Sequence, residues 1–120
     1  MQQKPAQGLT RILNAAKYSY QGIRAAIIGE AAFREELIVC LILIPIALFA
    51  EVTQIERLLL IGSLLVVLIV ELLNSAIEAV VDRIGTEHHQ LAGQAKDMGS
   101  AAVLLSILMS LYIWVDIFIF

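Results

Sequence analysis

The chain has 120 residues, 60% of them hydrophobic and 16% charged, with a formal net charge of −3 and a mean hydropathy of +0.87. Soluble domains carry roughly 45–50% apolar and about 25% charged residues, and a chain this short has too little interior to hide so much apolar surface. An ordinary soluble domain is thereby excluded, and a single integral-membrane domain over residues 1–120 is expected.

The predicted elements begin with an amphipathic helix. Leu9, Ile12, Leu13, Ala16, Tyr20, Ile23 and Ile27 share one helical face, opposite Arg11, Asn14, Lys17, Gln21 and Arg24. Such basic amphipathic helices lie in the membrane interface, drawn by anionic lipid. Residues 1–29 are assigned to this interfacial helix. They lack an apolar core with a cleavage site, so no secretory signal is expected.

The first apolar run, Leu37 to Ala50, falls short of the roughly 20 residues a span needs. Ala31, Ala32 and Phe33 extend it, with Arg34 snorkelling to the interface. Glu30 and Arg34, one turn apart, read as an exposed ion pair. Pro45 is tolerable where neighbouring helices satisfy the freed backbone. Cys40 is the lone cysteine, so no intrachain disulfide forms; it reads as a packing residue, with a reactive thiol as the alternative.

The second run starts at Leu58 and continues as helix through Glu71, Asn74 and Glu78, ending at Asp82-Arg83-Ile84-Gly85. The third, Met98 to Val115, holds no charge and ends in Tyr112 and Trp114, as in an interfacial aromatic belt. Spans are expected at about 30–50, 57–81 and 98–118. Residues 1–35 carry Lys4, Arg11, Lys17, Arg24 and Arg34, and Arg83 and Lys96 lie in an 82–97 loop. The positive-inside rule puts both segments in the cytoplasm and the C-terminus in the periplasm. Ala102, Ser106 and Ser110, four residues apart, offer a small-residue face for close helix packing, and an oligomer is expected. The fold class is an all-α membrane protein: a surface helix plus three transmembrane helices in an oligomeric bundle.

Glu71, Asn74, Ser75, Glu78 and Asp82 fall in one stripe roughly 100° wide on the second span. Ionisable groups in a span are costly and mark a site or a wet cavity; a polar seam between helices is the alternative. Counted from Arg57, Glu71 lies about 21 Å along the axis, inside the cytoplasmic leaflet. A lipid headgroup and a soluble nucleotide can meet there, whereas an ion pathway favours a carboxylate nearer the midplane. The following loop adds Glu87, His88, His89, Lys96 and Asp97, a phosphate-binding set or simply a solvated charged loop. No G-x-x-x-x-G-K-[ST], G-x-G-x-x-G, H-R-D or D-F-G motif occurs. Phosphoryl transfer would still need an in-line hydroxyl, a base and cations on the phosphates.

Val70 to Gly85 (VELLNSAIEAVVDRIG), Ala95 to Val103 (AKDMGSAAV) and Glu30 to Glu36 (EAAFREE) strongly resemble blocks of the small membrane-embedded bacterial diacylglycerol kinases. The likeness extends over nearly the whole chain. It implies ATP-dependent phosphorylation of diacylglycerol to phosphatidic acid, with Mg²⁺, in a homotrimer of the inner membrane whose active sites are shared between subunits. It implies that Glu71 is the general base, that Asn74 orients groups around it, and that Glu30 and Glu78 hold the cations. It implies further that Arg11, Tyr18, Glu30, Glu78, Glu87, His88, His89, Lys96 and Asp97 bind ATP. Arg24, Ala31, Ala32, Phe33, Arg34, Glu35, Glu71 and Ser100 would then border the lipid. His88 stands at a position where the family has an aromatic, Gln94 at one where it has Arg, and Tyr20 and Ile28 replace Trp. An undecaprenol kinase on the same scaffold, a proton-coupled transporter cycling a proton on Glu71, and a structural oligomer are the alternatives. No nucleic-acid partner is expected.

Overall fold

The structure is a computed structural model that describes residues 7–85 and 89–120, and these form helices and connections only. The order is α1 (Gly8–Gly29), α2 (Ala31–Phe49), α3 (Gln54–Ile84) and α4 (Gln90–Ile119). Helix α3 is the hub, touching each of the other three.

The helix ends have local causes. A single residue, Glu30, interrupts the chain between α1 and α2 with extended backbone (φ −122°, ψ 108°). The Arg34 guanidinium donates to the Ile27 and Ile28 carbonyls at 2.8 and 3.0 Å, closing the last turn of α1. Arg34 thus serves as a backbone cap, and the expected Glu30–Arg34 ion pair is not among those formed by the described residues. Helix α3 starts with a reciprocal capping box: the Glu56 amide donates to Thr53 Oγ1 at 3.2 Å and the Thr53 amide to Glu56 Oε1 at 2.9 Å. Arg57 reaches back to the end of α2, donating to the carbonyls of Ala47 at 3.1 Å and Ala50 at 2.8 Å. These bonds fix the α2–α3 hairpin.

Helices α3 and α4 are each long and apolar enough to cross a membrane. At 1.5 Å per residue α3 is about 46 Å long, well beyond a hydrocarbon layer of about 30 Å, so its ends project. Helix α4 begins at Gln90, so Lys96 and Asp97 are helical, as are Asp82 and Arg83 at the end of α3. The expected 82–97 loop shrinks accordingly. Hydropathy locates the apolar part of a helix and is blind to the polar turns that extend it.

The α3–α4 seam is held by Ser63 Oγ against Ser110 Oγ at 3.0 Å and by Trp114 Nε1 donating to the Leu60 carbonyl at 3.2 Å. Ser106 and Ser110 are buried within this chain while Ala102 is exposed. The small-residue face expected between subunits is therefore largely used between two helices of one subunit. Phe33, Cys40, Ala47, Leu60, Leu64 and Val67 make most of the interior. Large apolar side chains remain exposed along α2, α3 and α4, such as Leu41, Leu65 and Leu105, a surface suited to lipid or to other subunits.

Candidate active site

The α3 stripe faces inward at its centre. Glu71 and Asn74 are 5% and 8% exposed, Ser75 and Glu78 are half-buried, and Asp82 is exposed. Asn74 Nδ2 donates to Glu78 Oε1 at 3.4 Å. Asn74 Oδ1 is buried without a hydrogen-bond partner. Across from it lies the buried Gly99 of α4, where a Cβ would overlap that oxygen. Only glycine lets α4 approach the site this closely.

Three carboxylates act on Glu71 through their charge. Glu30, at the α1–α2 break, and Glu78 are near enough for their charges to act on it, and so is Glu36 of α2, whose Oε2 is buried without a hydrogen-bond partner. The only ion pair among the described residues is Lys96–Asp82, so this acidic cluster has no basic partner there. No three metal-binding side chains gather among the described residues. Mg²⁺ does not require three, since it is commonly bound through one or two carboxylates plus phosphate oxygens and water. Uncompensated Glu30 and Glu78 fit that donor set.

Lys96 Nζ donates to Asp82 Oδ1 at 2.8 Å, joining α4 to the end of α3. The adjoining Asp82 carboxylate holds the Lys96 ammonium above the ordinary lysine value. His89 caps α4, its Nδ1 accepting from the Leu91 amide at 3.1 Å. Asp97 and Ser100 are exposed on α4. Glu87 and His88 lie outside the described residues.

Arg11, Tyr18 and Arg24 are exposed on α1. Arg11 and Tyr18 stand roughly 28 and 18 Å from Glu30 along the α1 axis at 1.5 Å per residue. One chain therefore does not gather them at Glu30. Ala31, Ala32, Arg34 and Glu35 are exposed, whereas Phe33 is buried in the helix packing.

Two residues beside the Glu71–Asn74 face, Glu36 and Gly99, are not among the sequence candidates. Glu36 directly precedes the Leu37–Ala50 apolar run and falls between Phe33 and Cys40 on the buried face of α2; that i, i+3, i+7 spacing is the signal in the chain. Gly99 carried no signal, because its role depends on which helix faces it.

With this geometry in place, comparison with known proteins is decisive. The family model for prokaryotic diacylglycerol kinase matches residues 17–118. The chain belongs to that family. It is 58% identical to the diacylglycerol kinase of Escherichia coli strain K12 over 107 residues, 89% of this chain and 88% of the relative. It is 50% identical to that of Haemophilus influenzae over 113 residues, 94% of this chain and 96% of the relative. With the Pseudomonas aeruginosa enzyme it shares 50% over 114 residues, 95% and 93% of the two chains.

Proposed function

We propose that the chain is a lipid kinase that transfers the γ-phosphoryl group of ATP to the hydroxyl of diacylglycerol, giving phosphatidic acid and ADP. Membership of the family, together with relatives named diacylglycerol kinase, supports the reaction. The observation that carries the site is the inward face of α3, where Glu71 and Asn74 are buried beside Glu78.

In this reading Glu71 accepts the proton of the lipid hydroxyl as that oxygen attacks phosphorus. Asn74, bonded to Glu78, fixes the neighbouring carboxylate and presents its free Oδ1 to the site. Glu30 and Glu78 would hold Mg²⁺, which would supply charge neutralisation for the ATP phosphates. Lys96 exchanges Asp82 for a phosphate oxygen, and His89 and Asp97 line the same nucleotide site. Arg11, Tyr18, Glu87 and His88 complete the nucleotide side, and Arg24, the Ala31–Glu35 segment and Ser100 the lipid side.

The proposed membrane arrangement draws support from the exposed apolar faces of the helices. Helix α1 lies in the cytoplasmic interface, its exposed Leu9, Ile12 and Leu13 in the lipid. Helix α2 joins α3 and α4 as a third span of the inner membrane, placing the C-terminus in the periplasm. The distance of Arg11 and Tyr18 from Glu30 is compatible with an oligomer, a homotrimer by the family resemblance, in which a neighbour's α1 completes each site. The test is phosphoryl transfer from radiolabelled ATP in mixed micelles, with diacylglycerol and undecaprenol offered separately. Labelled phosphatidic acid with Mg²⁺ present is the expected product. Transfer to undecaprenol alone rejects the substrate assignment.

A further inference from the structure

Ser75 belongs to the polar stripe of α3 yet has no task in the reading above. It lines a cleft of about 580 Å³ between α1 and α3, together with Ser19, Ala26, Glu30, Leu72 and Ala76. A serine inside a helix commonly bonds a carbonyl of the preceding turn. Ser19, in the same cleft, does so, donating to the Ala15 carbonyl at 2.8 Å. Ser75 does not: its hydroxyl oxygen is shut off from solvent and has no partner. An unpaired buried hydroxyl is costly, and a ligand seated in the cleft supplies what it lacks.

The cleft selects the chemistry of that ligand. Its walls are mostly apolar, with Glu30 the charged residue among them, and such walls suit a neutral group with an oxygen acceptor. Glu71 is one helical turn from Ser75. We propose that Ser75 donates a hydrogen bond to an ester carbonyl of the diacylglycerol and thereby turns the free hydroxyl toward Glu71, making Ser75 a determinant of lipid specificity. The proposal rests on Glu71 being the base. A site built to hydrogen-bond a substrate group discriminates against analogues that lack it, and an alkyl ether glycerolipid lacks this carbonyl.

The test compares wild type, Ser75→Ala and Ser75→Thr on diacylglycerol and on dialkylglycerol of matched chain length in mixed micelles, with MgATP saturation curves for each. The expected result is a wild-type preference for the ester. Ser75→Ala loses about fivefold in kcat/KM on the ester with the ether and the KM for MgATP unchanged, and Ser75→Thr keeps the preference. Equal losses on both lipids overturn the proposal, pointing to packing or to a second copy of the chain filling the cleft. A change confined to the MgATP KM, or a wild type indifferent to the ester, overturns it as well. Glu71→Gln run alongside separates the two ideas. Full turnover in that variant rejects the base assignment, whereas an inactive variant beside a flat ester-to-ether ratio rejects only the role of Ser75.

Discussion

Gly99 of α4 sits against the Asn74 side chain of α3 so closely that a single added methyl group would occupy the place of the amide oxygen. The approach of the two helices and the orientation of the buried amide are one packing event. Gly99→Ala is expected to cost about 1–3 kcal/mol of stability and to lower turnover by displacing Asn74 from Glu78. Adding Asn74→Ala removes the clash, so the double variant should recover stability without recovering activity. Strictly additive losses in a double-mutant cycle would contradict the contact.

Glu71→Gln keeps the shape and polarity of the buried side chain while removing a carboxylate base. Turnover should fall by about 10² or more, with oligomeric state and MgATP binding retained. If nucleotide affinity collapses while saturated turnover survives, Glu71 is a ligand and the base lies elsewhere.

For Glu78 the expected defect is in metal and nucleotide. Glu78→Gln should raise the Mg²⁺ concentration needed for half-maximal activity and weaken MgATP binding, measured by titrating Mg²⁺ at fixed ATP. A Mg²⁺ curve that superimposes on wild type would remove Glu78 from the metal site.

Lys96 should act as a phosphate-binding charge. Because the Asp82 carboxylate raises its pKa, Lys96 stays protonated throughout the neutral and mildly alkaline range and loses its charge only above the ordinary lysine value of about 10.4. Lys96→Ala is expected to raise the KM for MgATP more than it lowers kcat, and no wild-type change in that KM between about pH 7 and 9 should trace to Lys96. An unchanged KM in the variant would leave the Lys96–Asp82 pair a surface contact between two helices.

Arg57→Ala removes the donors to the Ala47 and Ala50 carbonyls and should cost about 1–2 kcal/mol, read as a lower denaturation midpoint in detergent. Arg57→Lys should recover part of this, since a lysine reaches one carbonyl but not both.

Residues that act within one helix were readable from the chain. Glu71, Asn74 and Glu78 share a face because of helical spacing alone, and the structure buries that face. Residues whose role depends on a second helix were not: Ser106 and Ser110 met α3 of their own chain, and Gly99 met Asn74. Arg34 was misread for a related reason. Its charge suggested a carboxylate partner, but the carbonyls at the end of α1 had no other donor and were nearer. The polar turns at the start of α4 read as loop because hydropathy scores side chains and does not register the backbone ladder that runs past them.

The break between α1 and α2 is a single residue wide, and that residue is Glu30. The elbow of the molecule and a candidate metal ligand are therefore the same set of atoms. Any swing of α1 relative to the helices that follow it turns the Glu30 backbone and carries its carboxylate along. In the proposed arrangement, lipid packing around α1 would gain mechanical leverage on a cation at Glu30, and that cation would stiffen the joint in return.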